Sequence, residues 1–155
     1  MSKPSEKKLK ILVLHGPNLN LLGHRDPKHY GRLTLDKLNT LIRKKARELD
    51  VDVKFYQTNH EGNLVTLLQR QRKYVDGILI NPAAYTHTSI AIRDAIELIK
   101  IPVVEIHLSD ISSRDPFRRV SMIRDVCLAT FSGKKEQSYL EGLEFLVGRL
   151  KSGKL

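Results

Sequence analysis

The sequence predicts an α/β fold in which helices cover both faces of a parallel β-sheet. Short β-branched runs alternate with segments of helical periodicity along the 155 residues, which is the rhythm of β-α-β units with right-handed crossovers. No internal repeat, low-complexity segment or interdomain linker interrupts this alternation. The sequence therefore predicts one domain built on a single sheet.

The strand candidates are short apolar runs rich in branched side chains. The run from Gly77 to Ile80 is apolar throughout and ends at Asn81-Pro82, as a buried strand does. Five strands in this rhythm favour a flavodoxin-like open, doubly wound sheet with strand order 2-1-3-4-5 and flanking helices. The five candidates span residues 10–15, 51–58, 77–81, 103–107 and 125–131.

The helix candidates lie between and after these strands. Thr34 is expected to cap the first helix, because a threonine hydroxyl accepts a hydrogen bond from the first turn. Pro102 forbids continuation of the third helix, and Asp115-Pro116 is the start signal of an additional short helix. The main candidates span roughly residues 35–49, 63–73, 89–99 and 137–150.

Composition indicates a globular protein. Hydrophobic residues make up 41% and charged residues 28% of the chain, and no apolar run approaches the ~20 residues of a membrane span. We expect a basic N-terminal extension at 1–9, one folded domain at 10–150 and a basic tail at 151–155. The first residues are charged and lack the apolar core of a signal peptide, so we expect a cytoplasmic location and no membrane partner.

The net charge of +10 is compatible with nucleic-acid binding, but the distribution of the charge opposes it. Residues 1–10 hold four lysines against one glutamate, and the C-terminal tail adds Arg149, Lys151 and Lys154 without an acidic residue. The excess therefore lies mostly at the chain ends. The sequence also lacks a zinc finger, an RNA-binding aromatic motif and a basic helix with aromatics, so we expect no nucleic-acid partner.

Polar residues follow three of the predicted strands at their carboxyl ends, in residues 15–20, 81–89 and 105–110. The carboxyl ends of parallel strands meet at one edge of a sheet, where the following helices also begin. Each segment alone is compatible with an ordinary turn or with a structural histidine. Their coincidence at one edge predicts a functional site.

The residue types at this edge favour acid–base chemistry on a small anionic, hydroxylated substrate. Imidazoles, amides, hydroxyls and arginines are present, and we interpret the long aromatic and basic segment 16–33 as an active-site lid. The sequence has no glycine-rich phosphate loop, no acidic pocket for magnesium and no zinc-ligand spacing. Its only cysteine, Cys127, lies in an apolar run and is expected to be a small buried core residue.

Specific motifs occur in order between residues 14 and 119, roughly two-thirds of the chain. They are LHGPNLNLLG at 14–23, RDP at 25–27, YG at 30–31, QTNHEG at 57–62, NPAAYTHTS at 81–89, RD at 93–94, EIHLS at 105–109, R at 114 and FRR at 117–119. Together they resemble the motifs of type II 3-dehydroquinate dehydratases. The resemblance implies a flavodoxin-like lyase that removes water from 3-dehydroquinate to give 3-dehydroshikimate, without a metal or an organic cofactor.

The resemblance also implies catalytic roles. Tyr30 corresponds to the base that takes a proton from the carbon beside the ketone, and Arg25 to the arginine that holds this tyrosine as phenolate. His107 corresponds to the acid that protonates the departing hydroxyl, and Glu105 to the partner that sets its orientation. Asn18 corresponds to the asparagine that orients a water molecule against the enolate.

Substrate-binding roles follow from the same resemblance. The backbone N–H groups of Leu108 and Ser109 correspond to the cradle for the substrate carboxylate. Arg114 corresponds to a second lid arginine. The implied ligands of the substrate hydroxyls are Asn81, His87 and Arg118.

Asp94 indicates an assembly. It lies seven residues after His87, and seven helical residues rise ~10.5 Å, which is too far for both side chains to hold one small ligand easily. The family that the chain resembles places this aspartate in the active site of a neighbouring subunit. We therefore expect a homo-oligomer, which in that family is a dodecamer built from trimers.

Two segments depart from the family's pattern, at residues 110–113 and 133–136, and neither removes a catalytic position. We therefore expect these departures to affect the rate or the assembly rather than the type of reaction. The sequence leaves open whether the reaction serves aromatic biosynthesis through the shikimate pathway or quinate breakdown. Two other interpretations are a non-catalytic flavodoxin-like binding module and an enzyme acting on another cyclic hydroxy-ketone acid.

Overall fold

A five-stranded parallel sheet forms the centre of the part of the chain that this computed structural model describes, residues 7–24 and 32–155. All four neighbouring strand pairs are parallel. The strands are β1 Lys10–His15, β2 Asp52–Gln57, β3 Gly77–Asn81, β4 Val103–Ile106 and β5 Ala129–Phe131. Their spatial order is β2-β1-β3-β4-β5, which confirms the predicted flavodoxin-like sheet.

Within the described ranges, four α-helices cover the two faces of the sheet. They are α1 Leu35–Glu48, α2 Glu61–Gln71, α3 Ile90–Ile99 and α4 Glu136–Ser152. The helices α1 and α4 pack on one face, and α2 and α3 pack on the other. None of these helices combines the length and the apolar character that a membrane span requires.

The helices α1 and α3 begin where a hydroxyl caps their first turn, as predicted for Thr34. The Thr34 hydroxyl accepts a hydrogen bond from the Lys37 N–H at 3.2 Å, and α1 begins at the next residue. The Ser89 hydroxyl accepts from the Ile92 N–H at 2.9 Å and caps α3 in the same way. Pro116–Arg118 forms the additional short helix, a single 3-10 turn. Local chain chemistry therefore sets where these elements begin.

The last strand is shorter than predicted. The sequence predicts a strand over residues 125–131, whereas Arg124–Val126 forms a 3-10 turn and the strand is only Ala129–Phe131. The guanidinium group of Arg93, on α3, holds both oxygens of the Asp125 carboxylate outside the sheet. The run of branched apolar residues predicts a longer strand. The ion pair to α3 instead keeps the first residues of that run out of the sheet.

Cys127 also differs from expectation, because it is only partly buried and packs against the core on the side of α2 and α3. Burial raises the pKa of its thiol, and the charges of Glu105 and Asp125 raise it further. The thiol is therefore protonated at neutral pH, and it is a structural side chain rather than a nucleophile.

Candidate active site

The loop after β1 rests directly on the loop after β3. The Gly16 N–H donates a hydrogen bond to the Asn81 carbonyl oxygen at 2.8 Å. A Cβ atom at position 16 would lie 2.6 Å from the backbone carbonyl of Pro82, so a side chain there would force the two loops apart. Glycine permits this close approach of two backbones, and it thereby brings the ends of the two central strands together.

A cleft of about 160 Å³ opens at this carboxyl edge of the sheet. Its walls come from the loops after β1, β3 and β4 and from the short turns that follow β4. The structure thus brings together most of the residues that the sequence predicts for the site. Those that line the cleft are Asn18, Asn81, His87, His107, Leu108, Ser109, Arg114 and Arg118.

The remaining predicted site residues lie elsewhere. Glu105 lies behind the wall of the cleft, bonded to His107, and Asp94 lies on the exposed surface of α3. Arg25 and Tyr30 fall in residues 25–31 of the predicted lid, which lie outside the described residues, as do residues 1–6 of the basic extension.

His107 is oriented by a buried carboxylate. Its Nε2 atom lies 2.6 Å from Oε2 of Glu105, whose side chain is fully buried. The Glu105 oxygens also accept hydrogen bonds from the hydroxyls of Ser121 at 2.7 Å and Thr130 at 2.9 Å. Because an ionised carboxylate only accepts, Nε2 of His107 carries a hydrogen, and Nδ1 is the ring nitrogen left for a ligand.

Glu105 stays ionised despite its burial. Burial by itself raises the pKa of this carboxyl group. The hydrogen bond and the charge of His107, together with the hydrogen bonds from Ser121 and Thr130, outweigh burial and hold that pKa below its usual value. A fixed negative charge therefore lies directly behind His107.

His87 offers the cleft a hydrogen-bond acceptor. Its Nδ1 atom lies 2.7 Å from the carbonyl oxygen of Val120, which can only accept, so Nδ1 carries the hydrogen. In the neutral ring, Nε2 is then an acceptor that suits a substrate hydroxyl. The contact also ties the loop after β3 to the segment that carries Arg118.

Asn18 is held by side chains from the end of β2. Its backbone has the left-handed φ of 68°, which asparagine adopts more readily than most residues. The Asn18 N–H donates to Oδ1 of Asn59 at 3.0 Å, and Nε2 of Gln57 donates to the Gly16 carbonyl at 3.1 Å. Two neighbouring strands therefore set the position of the loop that brings Asn18 to the cleft.

The loop after β4 is suited to bind an anion. The N–H groups of Leu108 and Ser109 have no hydrogen-bond acceptor among residues 7–24 and 32–155. Nη1 of Arg114 lies 3.3 Å from Oγ of Ser109, and Arg118 lines the same cleft. Two backbone donors and two guanidinium groups together favour a carboxylate ligand.

The surface of α3 that carries Asp94 is partly apolar. Ile90, Asp94 and Leu98 follow at spacings of four residues, which places them on one face of the helix. Ile90 is 58% and Leu98 is 74% exposed, which is unusual for side chains of this size. The predicted intersubunit residue therefore lies between two exposed aliphatic side chains.

Two buried residues next to the cleft, His15 and Tyr139, make contacts that the sequence does not predict. Oη of Tyr139, on α4, lies 3.0 Å from Nδ2 of Asn81 and 3.2 Å from Nδ1 of His15. His15 is recognisable as a polar residue at the end of β1, but nothing local indicates its partner. Tyr139 lies 58 residues beyond Asn81 on a helix with an apolar stripe, where a tyrosine predicts only core packing.

The chemistry available in the cleft is proton transfer and hydrogen bonding. In the part of the chain that the structure describes, no group of three or more His, Cys, Asp or Glu residues is placed to hold a metal ion. The cleft collects imidazoles, amides and guanidinium groups around the free N–H groups of the loop after β4. Such a site can hold a hydroxylated carboxylate and deliver a proton from His107.

Comparisons with known proteins identify the family of the chain. The family model described as dehydroquinase class II matches residues 9–147. A 3-dehydroquinate dehydratase of Acaryochloris marina is 51% identical over 152 residues, which cover 98% of this chain and 99% of the relative. That of Trichodesmium erythraeum is 54% identical over 142 residues, which cover 92% and 95%. A crystal structure of a type II dehydroquinase from Butyrivibrio crossotus is 38% identical and superposes with a TM-score of 0.87, covering 90% of this chain and 97% of that chain.

Proposed function

Because the chain belongs to the class II dehydroquinase family, we propose that it converts 3-dehydroquinate to 3-dehydroshikimate and water. The reaction is an elimination through an enolate. A base takes a proton from the carbon beside the ketone, and an acid protonates the hydroxyl that departs as water. The proton removed from carbon and the proton added to the departing hydroxyl balance, so the reaction requires no other reactant.

One observation supports this proposal most strongly: the N–H groups of Leu108 and Ser109, which have no acceptor among the described residues, directly follow His107 in the chain. In 3-dehydroquinate, the carboxylate and the departing hydroxyl are attached to the same carbon. A carboxylate held by these two N–H groups therefore places the departing hydroxyl beside the imidazole of His107. Nδ1 of the protonated ring then gives its proton to that hydroxyl, while Glu105 stabilises the imidazolium.

Tyr30 is the base in this proposal, and Arg25 keeps it ionised. A free tyrosine has a pKa of ~10 and is a poor base at neutral pH. A nearby guanidinium group favours the phenolate, and each pKa unit that it removes is worth ~1.36 kcal/mol between the two forms.

The remaining side chains of the cleft bind the ring of the substrate. Nε2 of His87 accepts from a hydroxyl, and Arg118 and Asn81 donate to oxygens. Asn18 orients a water molecule that donates to the developing enolate oxygen, because a proton beside a ketone is only weakly acidic and its removal needs such a donor. Arg114 supports the carboxylate end of the cleft, where it already contacts Ser109.

The assay that tests the proposal follows the ultraviolet absorbance of the conjugated enone acid. Purified protein mixed with 3-dehydroquinate, in buffer with a chelator and without added cofactor, is expected to increase this absorbance at a rate proportional to protein concentration. Heat-denatured protein serves as the control. A rate no higher than that of the control would contradict the assigned activity.

We further propose that the active form is a homo-oligomer, a dodecamer built from trimers, in which Asp94 reaches the cleft of a neighbouring subunit. The exposed face of Ile90, Asp94 and Leu98 on α3 supports this proposal, because burial of both aliphatic side chains is favourable. His87 lies in the 3-10 turn before α3 and Asp94 lies on the exposed surface of that helix, so we assign Asp94 to the cleft of another subunit.

Sedimentation tests this assembly. The wild-type chain is expected to sediment as a large assembly, and Leu98→Glu is expected to shift it to smaller species with a parallel loss of kcat/KM. Tyr74→Glu changes another exposed side chain and is expected to leave the assembly intact. A fully active monomer would refute the proposed role of Asp94.

We propose that the reaction serves the shikimate route to chorismate and the aromatic amino acids. Quinate breakdown is the alternative, because it uses the same reaction. We also propose a cytoplasmic location, as expected from the charged N-terminal residues.

A further inference from the structure

A chain of buried hydrogen bonds leads from the floor of the cleft through the core. It begins at Nδ2 of Asn81, which lies 3.0 Å from Oη of Tyr139. The same Oη lies 3.2 Å from Nδ1 of His15, and Nε2 of His15 lies 2.8 Å from Oδ1 of Asn39. The four side chains come from β3, α4, β1 and α1, so the chain connects one layer of helices to the central strands.

The donor and acceptor roles in this row of hydrogen bonds are fixed by its first member. The backbone N–H of Ala83 donates to the side chain of Asn81 at 3.0 Å, which identifies that atom as the oxygen and the atom facing Tyr139 as the nitrogen. The Tyr139 hydroxyl therefore accepts from Asn81 and donates its own hydrogen to Nδ1 of His15. Nε2 of His15 must then carry the ring hydrogen, which it donates to Asn39.

The buried environment keeps the side chains of this hydrogen-bond chain neutral and fixed in place. His15 and Tyr139 are fully buried, and the His15 ring stacks parallel to Phe55 at 6.2 Å between ring centroids. Burial lowers the pKa of His15 to about 4, although its hydrogen bond to Asn39 opposes the shift. Burial likewise raises the pKa of Tyr139. At neutral pH, both groups therefore have the protonation states that the one-directional chain requires.

We propose that Tyr139, itself oriented by His15 and Asn39, positions the carboxamide of Asn81 so that its second N–H donates to a substrate oxygen in the cleft. Asn81 lines the cleft, and its side-chain oxygen and one of its N–H groups are already engaged. The donor of Asn81, at the end of β3, then complements the acceptor Nε2 of His87 on the loop that follows. Tyr139 is a positioning residue that touches no substrate, and its effect on turnover rests on the proposed function.

A double-mutant cycle tests whether Tyr139 acts through Asn81. Tyr139→Phe is expected to lower kcat/KM for 3-dehydroquinate about tenfold, mainly through KM, because the hydrogen bonds to Asn81 and His15 are both lost and Asn81 loses its orientation. In an Asn81→Ala background, the same substitution is expected to change kcat/KM less than about twofold. Multiplicative effects in the double variant would overturn the proposal.

The control separates positioning from stability. Ile42 is fully buried in the same core layer, and Ile42→Val costs a stability comparable to the loss of one hydrogen bond. Ile42→Val is expected to unfold at a lower urea concentration but to keep the wild-type kcat/KM. A tenfold loss in this variant as well would show that lowered stability, rather than Asn81, explains the kinetics.

A second measurement is independent of turnover. Long-range proton–nitrogen NMR correlations of the histidine rings in the wild-type protein are expected to show His15 as the neutral tautomer with hydrogen on Nε2. Hydrogen on Nδ1 would reverse the chain and overturn the proposal, even if Tyr139→Phe does not fold. Because this result does not depend on 3-dehydroquinate, it separates failure of the hydrogen-bond chain from failure of the proposed activity.

Discussion

His107→Gln is expected to lower kcat for 3-dehydroquinate about 10²- to 10⁴-fold, which is the usual contribution of a positioned general acid. A glutamine side chain is polar and similar in length, but it has no proton to give to the departing hydroxyl. KM is expected to change little, because we propose that the backbone N–H groups of Leu108 and Ser109, rather than His107, hold the carboxylate of the substrate. Initial rates of enone formation measure both constants.

His60→Gln is the matched control, because His60 is an exposed histidine at the start of α2 with no side-chain cap hydrogen bond. It is expected to keep the wild-type kcat. If His107→Gln loses less than about tenfold while the protein remains folded, the assignment of His107 as the acid is wrong.

Tyr30→Phe is expected to abolish turnover while binding of 3-dehydroquinate persists. Phenylalanine keeps the size and the apolar surface of the ring but removes the oxygen that takes the proton. Steady-state rates measure the loss, and isothermal titration calorimetry measures the Kd of the unreacted substrate.

Tyr74→Phe removes a hydroxyl from a side chain that is 65% exposed, and this variant is expected to leave kcat unchanged. Near-wild-type turnover by Tyr30→Phe would end the assignment of Tyr30 as the base. A complete loss of binding by this variant would instead indicate that Tyr30 holds the substrate rather than deprotonates it.

The fold is largely predictable from the sequence because its signals are local. The hydroxyls of Thr34 and Ser89 each mark a helix start, and alternating strand and helix patterns imply a parallel sheet. The prediction fails where a distant contact decides the local structure. Asp125 lies in a run that indicates a strand, yet its ion pair with Arg93 on α3 holds it outside the sheet.

The candidate site is predictable to the extent that it lies at strand ends. Asn18, Asn81 and His107 follow three neighbouring strands, so the topology alone brings them to one cleft. The roles of Arg25 and Tyr30 remain predictions, since both lie outside the described residues.

The hydrogen bonds behind the cleft are not predictable from the sequence. His15 and Tyr139 are 124 residues apart, and they meet only because α4 packs on the same face of the folded sheet that buries the His15 side chain. Sequence patterns indicate which side chains are buried, but they do not indicate which buried polar groups meet. The orientation of Asn81 is therefore visible only in the structure.

The most direct test of the central claim is a crystal structure of the Tyr30→Phe variant with unreacted 3-dehydroquinate bound. The substrate carboxylate is expected to lie on the N–H groups of Leu108 and Ser109. The hydroxyl on the same carbon is expected ~2.6–3.2 Å from Nδ1 of His107, and the side chain at position 30 is expected on the opposite side of the substrate. Substrate bound outside this cleft, or with that hydroxyl turned away from His107, would contradict the proposed mechanism.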